Sequence, residues 1–220
     1  MVKTYTIQLI PPPEICQEVA HLRKKVHSEN QSYLNSEVSH VTLQEAFRTR
    51  SISSVIKETG ELLRNLRPVK IEWRGIEVFA NNTLVLLAKK SEAFQHLHEE
   101  VISTVRSYRT SFHHPLYDQE QFREGHFTQP LHFGFLTLFG TPFANEFYTP
   151  HLSLAYHLTE KQLEKAKAIS EKITLPAWYA SEVRIGCKQS PTTGYEPLAV
   201  LPLGKNNHEN GDALKTTPLK

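Results

Sequence analysis

The 220-residue chain is poor in cysteine and glycine, and it carries almost no net charge. Its two cysteines, Cys16 and Cys187, are far apart and have no metal-ligand spacing. They therefore predict neither a disulfide framework nor a cysteine-based zinc site, and they fit a reducing compartment such as the cytoplasm. With 25 basic and 23 acidic side chains, the formal charge of +2 does not favour a scaffold for long nucleic acids.

Long apolar runs and glycine-rich loops are missing as well. No apolar run reaches about 18 residues, so we expect no transmembrane helix. The chain opens with a strand-like segment at residues 3–9, so we expect no signal peptide. No glycine-rich phosphate loop opens a helix and no βαβαβ run is present, which argues against a doubly wound nucleotide-binding fold.

What the chain does contain is histidine, 12 in all, and two histidines occur in nearly identical tetrapeptides. These are HVTL at residues 40–43 and HLSL at residues 151–154. In a strand, residues i and i+2 point to one face, so the histidine and the hydroxyl residue of each motif project together while the aliphatic residues enter a core. Two such pairs supply two proton-transfer groups and two hydroxyl donors for one small anion. The alternative is a pair of half-buried strand histidines.

Two further His-x-Thr matches do not fit a strand. Residues 126–128 run into Pro130, which breaks the alternation and lacks a backbone donor, so we assign them to a loop. Residues 157–159 run into a helix, where Thr159 and Gln162 form a predicted capping box. Only His40 and His151 remain in alternating contexts.

Periodicity along the chain predicts a mixture of strands and helices. The predicted helices are 15–26, 51–66, 92–108 and 159–173, and residues 113–130 are predicted to be a long loop. Residues 205–220 are polar and lack periodicity, which predicts a disordered tail. The predicted strands are 3–9, 38–47, 69–79, 83–89, 132–139, 151–157, 181–188 and 196–203.

The second motif in its setting, YTPHLSLAY at residues 148–156, resembles the cyclic phosphodiesterase branch of the 2H phosphoesterase superfamily. The first motif and the order of elements resemble equally the 2′-5′ RNA ligase-like branch. This resemblance implies an α+β fold over residues 1–204. It consists of two pseudo-symmetric lobes whose antiparallel sheets form a central groove, with helices outside.

The resemblance implies metal-independent hydrolysis of a 2′,3′-cyclic phosphate, without a cofactor, by His40 and His151. Thr42 and Ser153 are then expected to bind the phosphate, and Tyr156 to contact phosphate or sugar. The implied partner is a cyclic-phosphate nucleotide, an RNA 3′ end or ADP-ribose cyclic phosphate, with no membrane partner, and we expect a monomer. The alternatives are reversible 2′-5′ RNA ligation and a catalytically weak RNA- or nucleotide-binding module.

Other aromatic and histidine residues are open to two interpretations. In the helix 92–108, His96 and His98 do not share a face, so we expect both to be solvated rather than a metal pair. The aromatic side chains of the predicted loop could stack on a base, but packing that pins the loop is the favoured interpretation. They are Tyr117, Phe122 and Phe127, together with Phe112 directly before the loop.

Overall fold

The computed structural model describes residues 3–27, 38–79, 82–189 and 194–204. Within these ranges, helices flank antiparallel β-sheets. The strands are β1 (Thr4–Leu9), β2 (Val41–Phe47), β3 (Val69–Ile71), β4 (Trp73–Phe79), β5 (Thr83–Ala88), β6 (His151–Ala155), β7 (Trp178–Ala180), β8 (Glu182–Lys188) and β9 (Glu196–Pro202). The helices are α1 (Pro13–Val26), α2 (Ile52–Leu63), α3 (Glu92–Arg106), α4 (Glu120–His126), α5 (Pro130–Phe139) and α6 (Glu160–Ser170).

Seven of these strands form one sheet in the order β4-β5-β6-β2-β1-β8-β9, and β3 and β7 form a separate pair. The two central strands, β6 and β2, are joined through a single pair of opposed residues, Val41 and Leu152. The sheet therefore consists of two antiparallel halves that meet at a short seam. This architecture confirms the predicted α+β class with antiparallel strands and outer helices.

One face of the sheet forms the hydrophobic core. Alternate residues of the central strands, including Ile7, Leu9, Val41 and Leu152, have no solvent exposure. Helix α1 packs on β6 and α3 packs on β2. Burying a side chain of this size contributes about 1.5–3 kcal/mol, and because neighbours along a strand point to opposite faces, this burial fixes which residues face away from the core.

The helices begin where side chains satisfy their first backbone N–H groups. The hydroxyls of Ser51 and Ser91 accept hydrogen bonds from the N–H groups at the starts of α2 and α3. Pro13 opens α1, where its missing N–H has no consequence. Thr159 and Gln162 form the predicted capping box of α6.

The prediction of a strand at residues 132–139 is wrong, because this segment lies within helix α5. Pro130 stands in the first turn, and the helix ends at Gly140, whose φ of 78° is the left-handed conformation that favours glycine. The segment is apolar almost throughout, and such a run does not distinguish a strand from a helix by periodicity.

Two further predictions need correction. Residues 69–79 form two strands instead of one, since β3 pairs with β7 and only β4 continues the hairpin with β5. Residues 113–130, predicted to be a loop, contain a 3-10 turn at Pro115–Asp118 followed by α4. We call residues 107–150, between α3 and β6, the insert. The predicted tail, 205–220, lies outside the described residues.

Among the described residues, every helix is too short or too polar to cross a lipid bilayer.

Candidate active site

The seam of the sheet brings the two sequence motifs together. Because Val41 lies opposite Leu152 in antiparallel register, Thr42 is placed opposite His151 and His40 is placed opposite Ser153. Val41 and Leu152 are buried on the core side, while the four polar residues are all half-buried. Diagonal neighbours in such a pair lie about 7–8 Å apart, so the two imidazoles flank a space that suits a tetrahedral anion.

Both histidines are held in the same way. The Nδ1 of His40 lies 2.8 Å from the carbonyl oxygen of Val38, and the Nδ1 of His151 lies 2.8 Å from that of Thr149. A carbonyl only accepts, so each neutral ring carries its proton on Nδ1. Nε2 is then the nitrogen that exchanges a proton in each ring. His40 precedes β2 by one residue, while His151 is the first residue of β6.

Burial affects the second histidine directly. The ring of His151 packs against Phe79, with the ring centroids 4.7 Å apart. Burial lowers the pKa of His151, and the hydrogen bond to the Thr149 carbonyl partly opposes this shift. His151 is therefore neutral over a wider pH range than an exposed imidazole.

A cavity of about 490 Å³ adjoins one side of the seam. Three of the predicted site residues, Thr42, His151 and Tyr156, line it, whereas His40 and Ser153 are not among the lining residues. The insert and the β4–β5 hairpin supply most of the wall. The lining residues contributed by the insert are Leu116, Tyr117, Phe122, His126, Thr141, Phe143, Phe147, Tyr148 and Thr149.

The buried, stacked rings of Tyr148 and His98 form hydrogen bonds to the backbone of β2 at Thr42 and Leu43. The Tyr148 hydroxyl donates to the Thr42 carbonyl at 2.7 Å, and its ring stacks on His98 with a centroid distance of 3.7 Å. Nδ1 of His98 bonds the Leu43 carbonyl at 2.8 Å, and its Nε2 accepts from the Asn145 N–H at 3.3 Å. Two residues of the insert and one of α3 thus fix the strand that carries the first motif.

The prediction that His98 is solvated is therefore wrong, while His96 is exposed as expected. His98 is only 2% exposed, and burial lowers its pKa to about 4. The sequence contains a signal for this burial, since His98 continues the apolar stripe of α3.

Arg23 of α1 holds the other motif strand. This buried guanidinium donates to the carbonyls of Leu154 at 3.1 Å and Ser153 at 2.8 Å. It also lies 5.3 Å from the centroid of the Tyr156 ring, within cation–π range. A single side chain therefore anchors both the strand of the second motif and the aromatic residue that follows it.

Replacement of Arg23 by methionine is expected to destabilise the protein by about 3 kcal/mol, because two buried carbonyls lose charged donors. Urea denaturation at neutral pH measures this as a lower midpoint with little change in slope. Lys24→Met, one residue further along α1 and exposed, is the matched control. Equal midpoints for the two variants would contradict the anchoring role.

Glu45 is a site residue that sequence reasoning missed. It follows Thr42 by three residues and lines the cavity, where it accepts a hydrogen bond from the Tyr117 hydroxyl. Burial raises the pKa of Glu45, although hydrogen bonds from Tyr117 and Thr141 oppose the shift. No local pattern distinguishes this glutamate, because its partners belong to the insert, about 70 or more residues away along the chain.

The prediction that His126 is a loop residue is wrong, because it is the last residue of α4, where it also lines the cavity. Its Nδ1 lies 3.0 Å from the Phe122 carbonyl, and its ring stacks on Phe122. Within the described ranges, no group of three or more His, Cys, Asp or Glu side chains is placed to hold a metal ion.

Two imidazoles and two hydroxyls at a seam between antiparallel half-sheets define the 2H phosphoesterase class. A model of the 2′-5′ RNA ligase superfamily matches residues 11–186, so the chain belongs to that superfamily. No curated protein matches the chain.

Solved structures share the fold at low sequence identity. The TT0787 protein of Thermus thermophilus is 15% identical, with a TM-score of 0.53 over 93% of this chain and 100% of its own. LigT of E. coli complexed with 3′-AMP is 13% identical, with a TM-score of 0.51 over 93% and 99%. A protein described as a phosphoesterase is 14% identical, with a TM-score of 0.52 over 93% and 99%. At these identities the likeness establishes the fold.

Proposed function

We propose that the protein hydrolyses 2′,3′-cyclic phosphates of a nucleotide or an RNA end. The observation that carries this proposal is the antiparallel pairing of Val41 with Leu152, a register that places Thr42 opposite His151 and His40 opposite Ser153. A five-membered cyclic phosphate needs one group to activate water, one to protonate the leaving oxygen and donors for the remaining oxygens. The two histidines supply the base and the acid, and the hydroxyls of Thr42 and Ser153 supply the donors.

In the proposed reaction, one histidine takes up a proton and the other gives one up. Nε2 of His151 takes a proton from water as the water oxygen bonds to phosphorus. The bond from phosphorus to the ribose 3′-oxygen breaks, and protonated His40 gives that oxygen its proton, which leaves a 2′-phosphate. Thr42 and Ser153 donate to the two non-bridging oxygens, where negative charge increases. Solvent then restores the original protonation states.

The assignment of base and acid follows from burial. A general base must be neutral before it acts, and burial lowers the pKa of His151. His151 is therefore the base in our proposal, and His40 is the acid.

Ligation of a 5′-hydroxyl RNA end would use the same groups, with the hydroxyl in place of water. The size of the cavity favours hydrolysis, because about 490 Å³ is a typical volume for one small ligand.

The experiment that tests the proposal is turnover of 2′,3′-cyclic nucleotides in the presence of excess EDTA. We expect hydrolysis to a 2′-phosphate at an unchanged rate, because imidazole acid–base chemistry with hydroxyl donors needs no metal. Product analysis by phosphorus NMR distinguishes the 2′- from the 3′-phosphate. Loss of activity on chelation, with recovery on adding a divalent ion, would contradict the mechanism.

The pH dependence of kcat/KM is expected to be bell-shaped. The acid limb should lie below the ordinary histidine pKa of about 6.5, because burial lowers the pKa of the base, His151. The alkaline limb should reflect loss of the proton from the general acid, and both limbs belong to the coupled pair. A rate that rises continuously from pH 5 to pH 9, with chemistry rate-limiting, would contradict paired histidine catalysis.

A further inference from the structure

The end of the cavity formed by the insert is chemically different from the seam. Three aromatic rings meet there, with centroid distances of 5.7 Å between Tyr117 and Phe122, 6.1 Å between Tyr117 and Phe143, and 6.3 Å between Phe122 and Phe143. The ring of His126 stacks on Phe122 at 4.2 Å. We call these four rings and Glu45 the aromatic end. Flat π-surfaces of this kind bind a planar ring by stacking.

The one hydroxyl proton of the aromatic end, that of Tyr117, is already engaged. Tyr117 donates its proton to Glu45. The neighbouring Thr141 hydroxyl accepts from the Phe143 N–H at 3.2 Å. Nδ1 of His126 is bonded to a carbonyl, so Nε2 of the neutral ring is an acceptor. What remains for a ligand is a set of oxygen and nitrogen acceptors.

The carboxylate of Glu45 can accept further hydrogen bonds. In the part of the chain that the structure describes, no Lys or Arg forms an ion pair with it, and its side-chain partners are hydroxyls. Burial raises its pKa, which means that desolvation outweighs those hydrogen bonds. A ligand N–H that reached this carboxylate would offset part of the desolvation.

The geometry points to a nucleobase site at the aromatic end, in which Glu45 accepts a hydrogen bond from an exocyclic amino group of the base. This inference rests on the proposed function, because it places the phosphate of the same ligand at the seam. Glu45 lies three residues beyond Thr42 along β2, across a shift in the pairing with β1, so the two positions are separated by at most about 10 Å. A single nucleotide can span that separation, with the sugar lying between the phosphate and the base.

The inference specifies which bases are favoured. Adenine, cytosine and guanine each present an amino group. Uracil presents instead one N–H between two carbonyl oxygens, and those oxygens would face the acceptors of the aromatic end. We therefore infer a cyclic nucleotide with an amino-bearing base as the substrate, with uridine disfavoured.

The test compares the four 2′,3′-cyclic nucleotides by kcat/KM and the four 2′-monophosphates by calorimetric binding, using the full chain. We expect the amino-bearing bases to exceed uridine by on the order of tenfold or more, the equivalent of one hydrogen bond to a charged acceptor. Glu45→Gln should remove or invert this ratio, because Tyr117 keeps the amide oxygen occupied and the amide NH₂ can then donate to a uracil carbonyl. Glu120→Gln, exposed on α4 of the same insert, is the matched control and should leave the ratio unchanged.

Uridine nucleotides that bind and react as well as the others would overturn the inference, as would a Glu45→Gln protein with the wild-type ratio. If Glu45→Gln does not fold, the wild-type ratio decides alone. Base-dependent binding without turnover of any cyclic nucleotide would support the base site and count against the proposed function. Turnover of the cyclic nucleotides without a base preference would support the proposed function and count against the base site.

Discussion

Replacement of either His40 or His151 by alanine is expected to lower kcat/KM for a 2′,3′-cyclic nucleotide by about 10²–10⁴, the usual contribution of a positioned acid or base. In the proposed mechanism neither imidazole can replace the other, because the two belong to opposite motifs and would act on opposite sides of the phosphate. Thr42→Val and Ser153→Ala should reduce the rate less, since each removes one hydrogen bond to a charged oxygen.

Steady-state kinetics with folding verified by circular dichroism provides the measurement. His96→Ala is the matched control, because His96 is exposed on α3 and lies away from the seam. Near wild-type turnover in either motif variant would rule out the two-histidine mechanism.

The second expected result concerns His98, whose effect is on stability and not on chemistry. The native ring has a pKa of about 4, while an unfolded histidine titrates near 6.5. Between these values the unfolded state binds the additional proton, so stability increases with pH over this window and is lost as the pH falls through it. The full shift corresponds to about 3 kcal/mol.

His98→Gln separates this effect from all other titrations. Glutamine can donate to the Leu43 carbonyl and accept from the Asn145 N–H, so it retains the types of hydrogen bond while removing the titration. Urea unfolding of both proteins from pH 7 to pH 4 should show the stability advantage of the wild type shrinking by about 3 kcal/mol. Parallel curves of stability against pH for the wild type and His98→Gln would show that His98 does not titrate in this window. His96→Gln is the control and should leave the wild-type curve unchanged.

The motif strands could be predicted from sequence because their signal is local. An alternation of period two over residues 40–43 and 151–154 is sufficient to place the polar residues on one face. The placement of His40 opposite Ser153 follows from strand pairing between distant segments, which no local pattern predicts. The capping box of α6 was equally local and was correctly predicted.

The insert could not be predicted from local patterns. Helix α5 consists of an almost continuous apolar run, for which strand and helix periodicities are indistinguishable, and this is why the prediction of a strand there is wrong. Glu45 became recognisable only when Tyr117 and Thr141 were brought to it by the fold. When the partners of a residue lie far away in the chain, the sequence around that residue does not indicate its role.

The pairing of Val41 with Leu152 has a stereochemical consequence. It relates the two motifs by a local dyad, which exchanges His40 with His151 and Thr42 with Ser153, so a bare phosphate ion would meet nearly the same groups in either orientation. The cavity removes this equivalence, because among these four residues only His151 and Thr42 line it. In the proposed mechanism, the way a ligand occupies this one-sided cavity therefore determines which ribose oxygen lies beside the acid and departs.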